Sequence, residues 1–69
     1  MRYFIANDKG IPYHSQPENG YTKLQVIARV QREIAECVKL YGGNFQDYKD
    51  WFTIYDNKWN ECRELYQAI

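Results

Sequence analysis

The sequence predicts an α+β fold, a small two-layer β-β-α-β domain with a C-terminal helical segment. Three observations predict it. Strand-forming clusters stand at Tyr3-Phe4-Ile5 and at Trp51-Phe52-Thr53-Ile54-Tyr55. A turn-type tetrapeptide, Asn7-Asp8-Lys9-Gly10, follows the first cluster, and a long stretch between the clusters carries apolar residues at helical spacing.

Residues 2–14 read as a β-hairpin. Asn and Asp favour the start of a type I turn, and Gly10 supplies the left-handed residue that closes it. With Ala6 and Ile11 flanking a four-residue loop, Phe4, Ala6, Ile11 and Tyr13 share one face, and Tyr3, Ile5, Pro12 and His14 the other. Pro12 has no N–H for a ladder bond, which places it at a sheet edge.

Residues 15–20 form a loop punctuated by Pro17 and Asn19-Gly20. The helix that follows has the strongest signals in the chain. Thr22 and Gln25 make a capping box, and Tyr21 and Val26 stand where its hydrophobic staple belongs. Ile27, Val30, Ile34, Cys37, Val38 and Tyr41 make an apolar stripe, opposed by Gln25, Arg29, Arg32, Glu33, Glu36 and Lys39. Gly42-Gly43 offers a left-handed stop, so the helix runs from Lys23 to Tyr41.

Two readings compete for residues 45–69. Phe45, Tyr48, Phe52, Tyr55, Trp59, Cys62, Tyr66 and Ile69 fit a second helix capped by Asn44, which would give a β-hairpin plus a two-helix hairpin. Five consecutive strand formers over 51–55, ending in Asp56-Asn57, instead favour a strand and a short terminal helix or coil packed on the sheet. The helix would carry β-branched and aromatic residues and Asp-Asn at up to about 0.7 kcal/mol each against Ala. The strand is therefore preferred. No internal repeat, low-complexity tract or dividing linker is evident, and residues 1–69 read as one domain.

Composition bounds the function. The 69 residues carry nine basic and nine acidic side chains, for a formal charge of zero, which disfavours both a polyanion mimic and bulk phosphate binding. No apolar run reaches the roughly 18 residues of a membrane span, and no basic segment followed by an apolar one opens the chain. The expectation is a cytoplasmic protein with no membrane partner. A domain this small buries only about 60% of its unfolded surface, so its twelve aromatic residues are the expected staple.

The pattern Gly20-Tyr21-Thr22-Lys23 leading a mixed-charge helix, then Tyr41-Gly42-Gly43, then Asp50-Trp51-Phe52-Thr53-Ile54-Tyr55-Asp56, resembles small accessory proteins of Gram-positive bacteriophages. The resemblance covers residues 20–60. It implies an inhibitor of a host defence system, of the anti-CRISPR kind, and carries over no functional residue.

Candidate chemistry is sparse. His14 is the sole histidine and the obvious general base, yet no carboxylate or nucleophile stands at a recognisable spacing from it. Cys37 falls on the helix stripe, and Cys62 has only Arg63 as a cationic neighbour, so neither reads as a nucleophile. Two Cys and one His fall short of a structural zinc set, and Gly42-Gly43-Asn44 is too short to cradle phosphate. No cofactor is expected.

The leading expectation is a non-enzymatic protein-interaction module that masks a host protein. A single-stranded nucleic-acid binder is the second class, with Trp51 and Tyr55 stacking bases and Arg2, Arg29 and Arg32 meeting phosphates. A helix on one sheet face leaves the other face with Tyr3, Ile5, Trp51 and Tyr55, unless residues 57–69 close it. Partner-binding candidates are Tyr3, Arg29, Arg32, Leu40, Trp51, Tyr55 and Trp59. A homodimer or a partner complex is expected to cover Trp51, Tyr55 or Trp59.

Overall fold

The computed structural model describes residues 1–13 and 15–69, so the expectations for His14 lie outside the described residues. The chain runs β1 (Tyr3–Asn7), α1 (Lys23–Tyr41), a 3₁₀ segment (Phe45–Trp51), β2 (Phe52–Asp56) and a second 3₁₀ segment (Arg63–Ala68). It is an α+β fold. β1 and β2 pair antiparallel, with Ile5 opposite Ile54 and Phe4 opposite Tyr55.

α1 has the predicted bounds. Thr22 Oγ1 accepts the Gln25 N–H, Gln25 Oε1 accepts the Thr22 N–H, and the staple residues Tyr21 and Val26 are both buried. Gly42, at φ +78°, stops the helix and donates its N–H to Val38 O at 2.8 Å. Val26, Val30 and Ile34 join Ile5 and Ile54 in the core, while Tyr41, predicted on the stripe, is 70% exposed.

The second-helix reading of 45–69 does not hold. The strand forms, one residue later than expected. Trp51 ends the preceding 3₁₀ segment, anchored by Tyr48, whose hydroxyl donates to Gly42 O. β2 then alternates, with Phe52, Ile54 and Asp56 buried inward and Thr53 and Tyr55 outward.

The second strand of the expected hairpin does not form, so the strand and helix order is β-α-β. Residues 11–13 instead return beside β1 in a different register, through one isolated bridge between Ala6 and Pro12. Asn7 and Ile11 flank a three-residue loop, Gly10 N–H bonds Asn7 O, and Pro12 faces Ala6. The side chain of Asn7 selects this geometry, because its Oδ1 accepts the N–H groups of both Lys9 and Ile11. Pro12 is tolerated because the cross-chain bonds pass through Ile11 O and Tyr13 N. The shift of one residue moves Tyr13 from the side of Phe4 and Ala6 to that of Tyr3 and Ile5. Tyr3, Ile5 and Tyr13 turn towards the helix, and Phe4 and Ala6 turn away.

An internal repeat, absent from the sequence reading, organises the sheet. β2 continues through Asp56-Asn57-Lys58-Trp59-Asn60 as β1 continues through Asn7-Asp8-Lys9-Gly10-Ile11. Asp56 N bonds Asn60 O as Asn7 N bonds Ile11 O, and Trp59 N bonds Asp56 O as Gly10 N bonds Asn7 O. Asp56 Oδ1 accepts from Lys58 and Asn60, the bonds that Asn7 Oδ1 makes to Lys9 and Ile11. Cys62 N bonds Ile54 O as Tyr13 N bonds Ile5 O. Two equivalent β-turn-return units thus pair about a local two-fold axis.

Both outer edges are covered by the backbone returns and completed by side chains. Beside β1, the Gln16 amide accepts the Ile5 N–H at 2.6 Å and donates to Ile5 O and Tyr13 O, while Tyr21 exchanges two backbone bonds with Tyr3. Beside β2, the Tyr66 hydroxyl accepts the Ile54 N–H at 2.8 Å. An unpaired strand edge templates aggregation, and here a carboxamide and a phenol take up the N–H groups of Ile5 and Ile54 that the backbone returns leave unpaired. Leu65 and Cys62 join the core on the helix side, so the C-terminal segment closes that side and leaves the outer sheet face.

Candidate functional site

The outer face carries a three-ring cluster. Phe4 and Tyr55 are cross-strand neighbours, and the Trp59 indole lies against both, with centroids 5.7 Å from each. Its plane is within 25° of Phe4 and at 58° to Tyr55. Trp59 remains 53% exposed.

The backbone under this indole is strained. Trp59 sits at φ +62°, the one positive φ among the described non-glycine residues, at the position that Gly10 fills in the equivalent turn. A left-handed conformation costs a residue with a Cβ about 1–2 kcal/mol. Each aromatic pair returns about 0.5–1.5 kcal/mol beyond its area burial, so the two contacts offset the strain without a large surplus. The turn geometry asks for glycine, and the position holds the largest side chain of the twenty.

Asp56 locks that turn and is 8% exposed. The bond from the Asn60 N–H holds its carboxyl below the usual range. Partial desolvation opposes this, and the Lys58 N–H adds to the lowering.

The predicted partner residues fall into separate places. Tyr3 does not lie on the open face. It packs half-buried against the core, and Ile5, also expected on that face, is fully buried within the core. Trp51 is not beside Tyr55 either. It stands edge-on to Tyr48 at 4.9 Å and 6.2 Å from Tyr41, making a second aromatic cluster at the C-terminal end of α1. Leu40, 72% exposed, borders that end. Arg29 is held by Glu33 at 2.7 Å, with Ser15 Oγ 3.4 Å from its guanidinium. Arg32 lines a groove of about 380 Å³ with Pro17, Tyr21, Gln25, Ala28 and Arg29.

Tyr55 and Trp59 are therefore the two predicted residues brought together, and Phe4 is the partner that sequence reasoning missed. The signal for Phe4 is its alternation with Ile5: once Ile5 faces the helix, Phe4 must face outward beside Tyr55. The stacking constellation of Trp51, Tyr55 and the arginines is not assembled, since Trp51 and Tyr55 belong to different clusters and Arg29 is paired.

Burial pushes both thiols up, with Glu33 and Glu36 adding to the shift at Cys37 and Asp56 at Cys62, which keeps them in the unreactive thiol form. Among the described residues no three His, Cys, Asp or Glu side chains are placed to hold a metal ion. Among them, too, no helix is long and apolar enough to cross a membrane.

The fold and site define a small α+β domain with an aromatic outer sheet face. No family model, curated protein or solved structure matches the chain.

Proposed function

We propose that the protein is a non-enzymatic interaction module that binds a partner protein through the outer sheet face, with the Trp59 indole as its anchor and Phe4 and Tyr55 as its support. The observation that carries this reading is the exposed Trp59 in a left-handed conformation where the equivalent turn has Gly10. Strain persists where the surrounding structure compensates it, and strained residues cluster at sites of function. Trp and Tyr are also the side chains most enriched at binding hot spots, because they bring large rigid area with a polar tip.

The resemblance to phage accessory proteins supports a more specific form of the reading. In that form the module is a cytoplasmic inhibitor that masks the surface of a host defence protein, and masking requires complementarity and no chemistry of its own. The neutral chain disfavours a nucleic-acid partner.

Affinity capture from bacterial lysates tests the reading, run with the wild type beside Trp59→Gly. The substitution relieves the turn and keeps the backbone path, so the chain stays folded. The expected result is one protein retained stoichiometrically by the wild type and lost with Trp59→Gly, at a loss of about 2 kcal/mol or more for a hot-spot residue. Capture that is indifferent to Trp59→Gly overturns the anchor, and no capture across several hosts overturns the module. Light scattering on the free chain separates a second copy of the chain from a foreign partner.

A further inference from the structure

We propose that the groove between the 15–21 loop and the N-terminal half of α1 is a carboxylate-binding site, with Arg32 as the recognising charge. The groove is open to solvent, with a volume of about 380 Å³, and no acidic residue lines it. Its two cations differ in state. Arg29 is pinned from both sides, its Nε donating to Glu33 at 2.7 Å and its guanidinium 3.4 Å from Ser15 Oγ. Its charge is offset and its position fixed. Arg32 makes no ion pair among the described residues, although Glu36 stands one helical turn away.

The concave surface thus holds one uncompensated positive charge against the walls of Pro17 and Tyr21, and Tyr21 is held in place by its two backbone bonds to Tyr3. One net positive charge matches one carboxylate, which a guanidinium takes in a two-pronged geometry. A phosphodiester backbone asks for a row of cations, whereas this groove offers a single unpaired one among the described residues. The carboxylate belongs to an Asp or Glu side chain, or to the C-terminus, of a protein partner. Only that source rests on the reading of the chain as an interaction module, and the site itself is testable without the partner.

The test is a titration of the ¹⁵N-labelled full chain with sodium acetate, beside sodium chloride and sodium dimethyl phosphate at matched ionic strength. Acetate is expected to give saturable shifts at the amides of Tyr21, Gln25, Ala28 and Arg32. Arg32→Gln is expected to weaken the binding about tenfold, a difference of about 1.4 kcal/mol. Lys39→Gln, on the last turn of the same helix and outside the groove, is expected to leave it unchanged. Trp59→Gly is also expected to leave it unchanged, so failure of the aromatic anchor and failure of this site are separately visible. Saturation by acetate that survives Arg32→Gln overturns the proposal, as do chloride shifts identical to those of acetate. Tighter binding of dimethyl phosphate overturns it in favour of a phosphate site.

Discussion

The two β-turn-return units share a backbone and differ in what they place on it. Along the two paired strands the inward equivalents match in kind, Ile5 with Ile54, Tyr3 with Phe52 and Asn7 with Asp56, and only the return limbs, with Tyr13 against Cys62, depart from this. On the outer face each pair joins a small residue to a large one: Thr53 with Phe4, Ala6 with Tyr55, Gly10 with Trp59. The inner face must fill one space beneath one helix, and volume sets its residues on both sides of the axis. No helix constrains the outer face, and there the symmetry is abandoned. All three large rings stand in contact around Trp59, so the asymmetry builds a patch at one end of the sheet. Core packing explains the first set of residues and does not explain the second.

The largest effect should come from the matched inner pair. Ile5 and Ile54 are both fully buried, and cutting either to Ala removes about 2–5 kcal/mol. The whole stability of a chain this size is about 3–10 kcal/mol, so each variant stands near the edge of folding. Denaturant titration should give similar losses for Ile5→Ala and Ile54→Ala. A marked inequality would show that the two-fold relation is geometric and carries no equal share of the core energy.

Next come the two edge seals, which do the same task with different chemistry. Tyr66→Phe leaves the buried Ile54 N–H without its acceptor, at about 1–3 kcal/mol. Gln16→Ala strips an acceptor and a donor from Ile5 and should weaken the chain at least as much. Amide exchange at Ile54 and Ile5 reports each seal separately. If Tyr66→Phe leaves Ile54 as protected as before, the phenol is a bystander to that edge.

The turn itself is measured by comparing two substitutions at one site. Trp59→Ala removes the ring and keeps a Cβ at positive φ, whereas Trp59→Gly removes both. The Ala variant should therefore be less stable than the Gly variant by about 1 kcal/mol. Gly10→Ala in the twin turn should lose a similar amount. A Cβ there stands 3.6 Å from the Tyr55 hydroxyl, an ordinary contact that adds no clash. Equal stability of Trp59→Ala and Trp59→Gly would mean that the turn relaxes and stores no strain, which removes the physical ground for the anchor.

Much of this architecture is legible in the sequence, for local reasons. The helix is marked by Thr22, Gln25, Tyr21 and Gly42, each acting within a few residues, and it forms where those signals put it. The strand at 52–56 follows from consecutive strand formers, with Trp51 lost to the 3₁₀ segment that Tyr48 ties to Gly42. The hairpin register is harder to read, since Asn7 can either enter the loop or close it, and one side-chain oxygen decides which. The repeat is written as aromatic-x-Ile-x-Asn/Asp-Asp/Asn-Lys at residues 3–9 and again at 52–58, too short and too degenerate to stand out. Of the patch, Tyr55 and Trp59 are legible from residue type. Their meeting with Phe4 depends on pairing across most of the chain, which local pattern does not encode.

The smallest effect concerns charge, where the two turns differ by a single functional group. Asn7 and Asp56 accept the same two N–H bonds, but only Asp56 titrates. The Asn60 N–H foremost, and the Lys58 N–H with it, hold the folded Asp56 carboxyl below its ordinary value, against some desolvation. Between that lowered value and the unfolded value near about 3.9, the unfolded chain binds more protons than the folded one. The contribution of Asp56 is thus complete above about pH 4 and is lost as pH falls through the lowered value. Asn7 has no such limb. On acidification, the Lys58 and Asn60 amides should lose protection from exchange before the Lys9 and Ile11 amides do. Asp56→Asn keeps the acceptor oxygen and should abolish the difference while leaving the neutral-pH fold intact. Simultaneous loss at both turns would place acid sensitivity in global unfolding. Loss at Lys58 and Asn60 alone means that acid loosens the turn carrying Trp59, and partner binding through that indole should weaken over the same pH range.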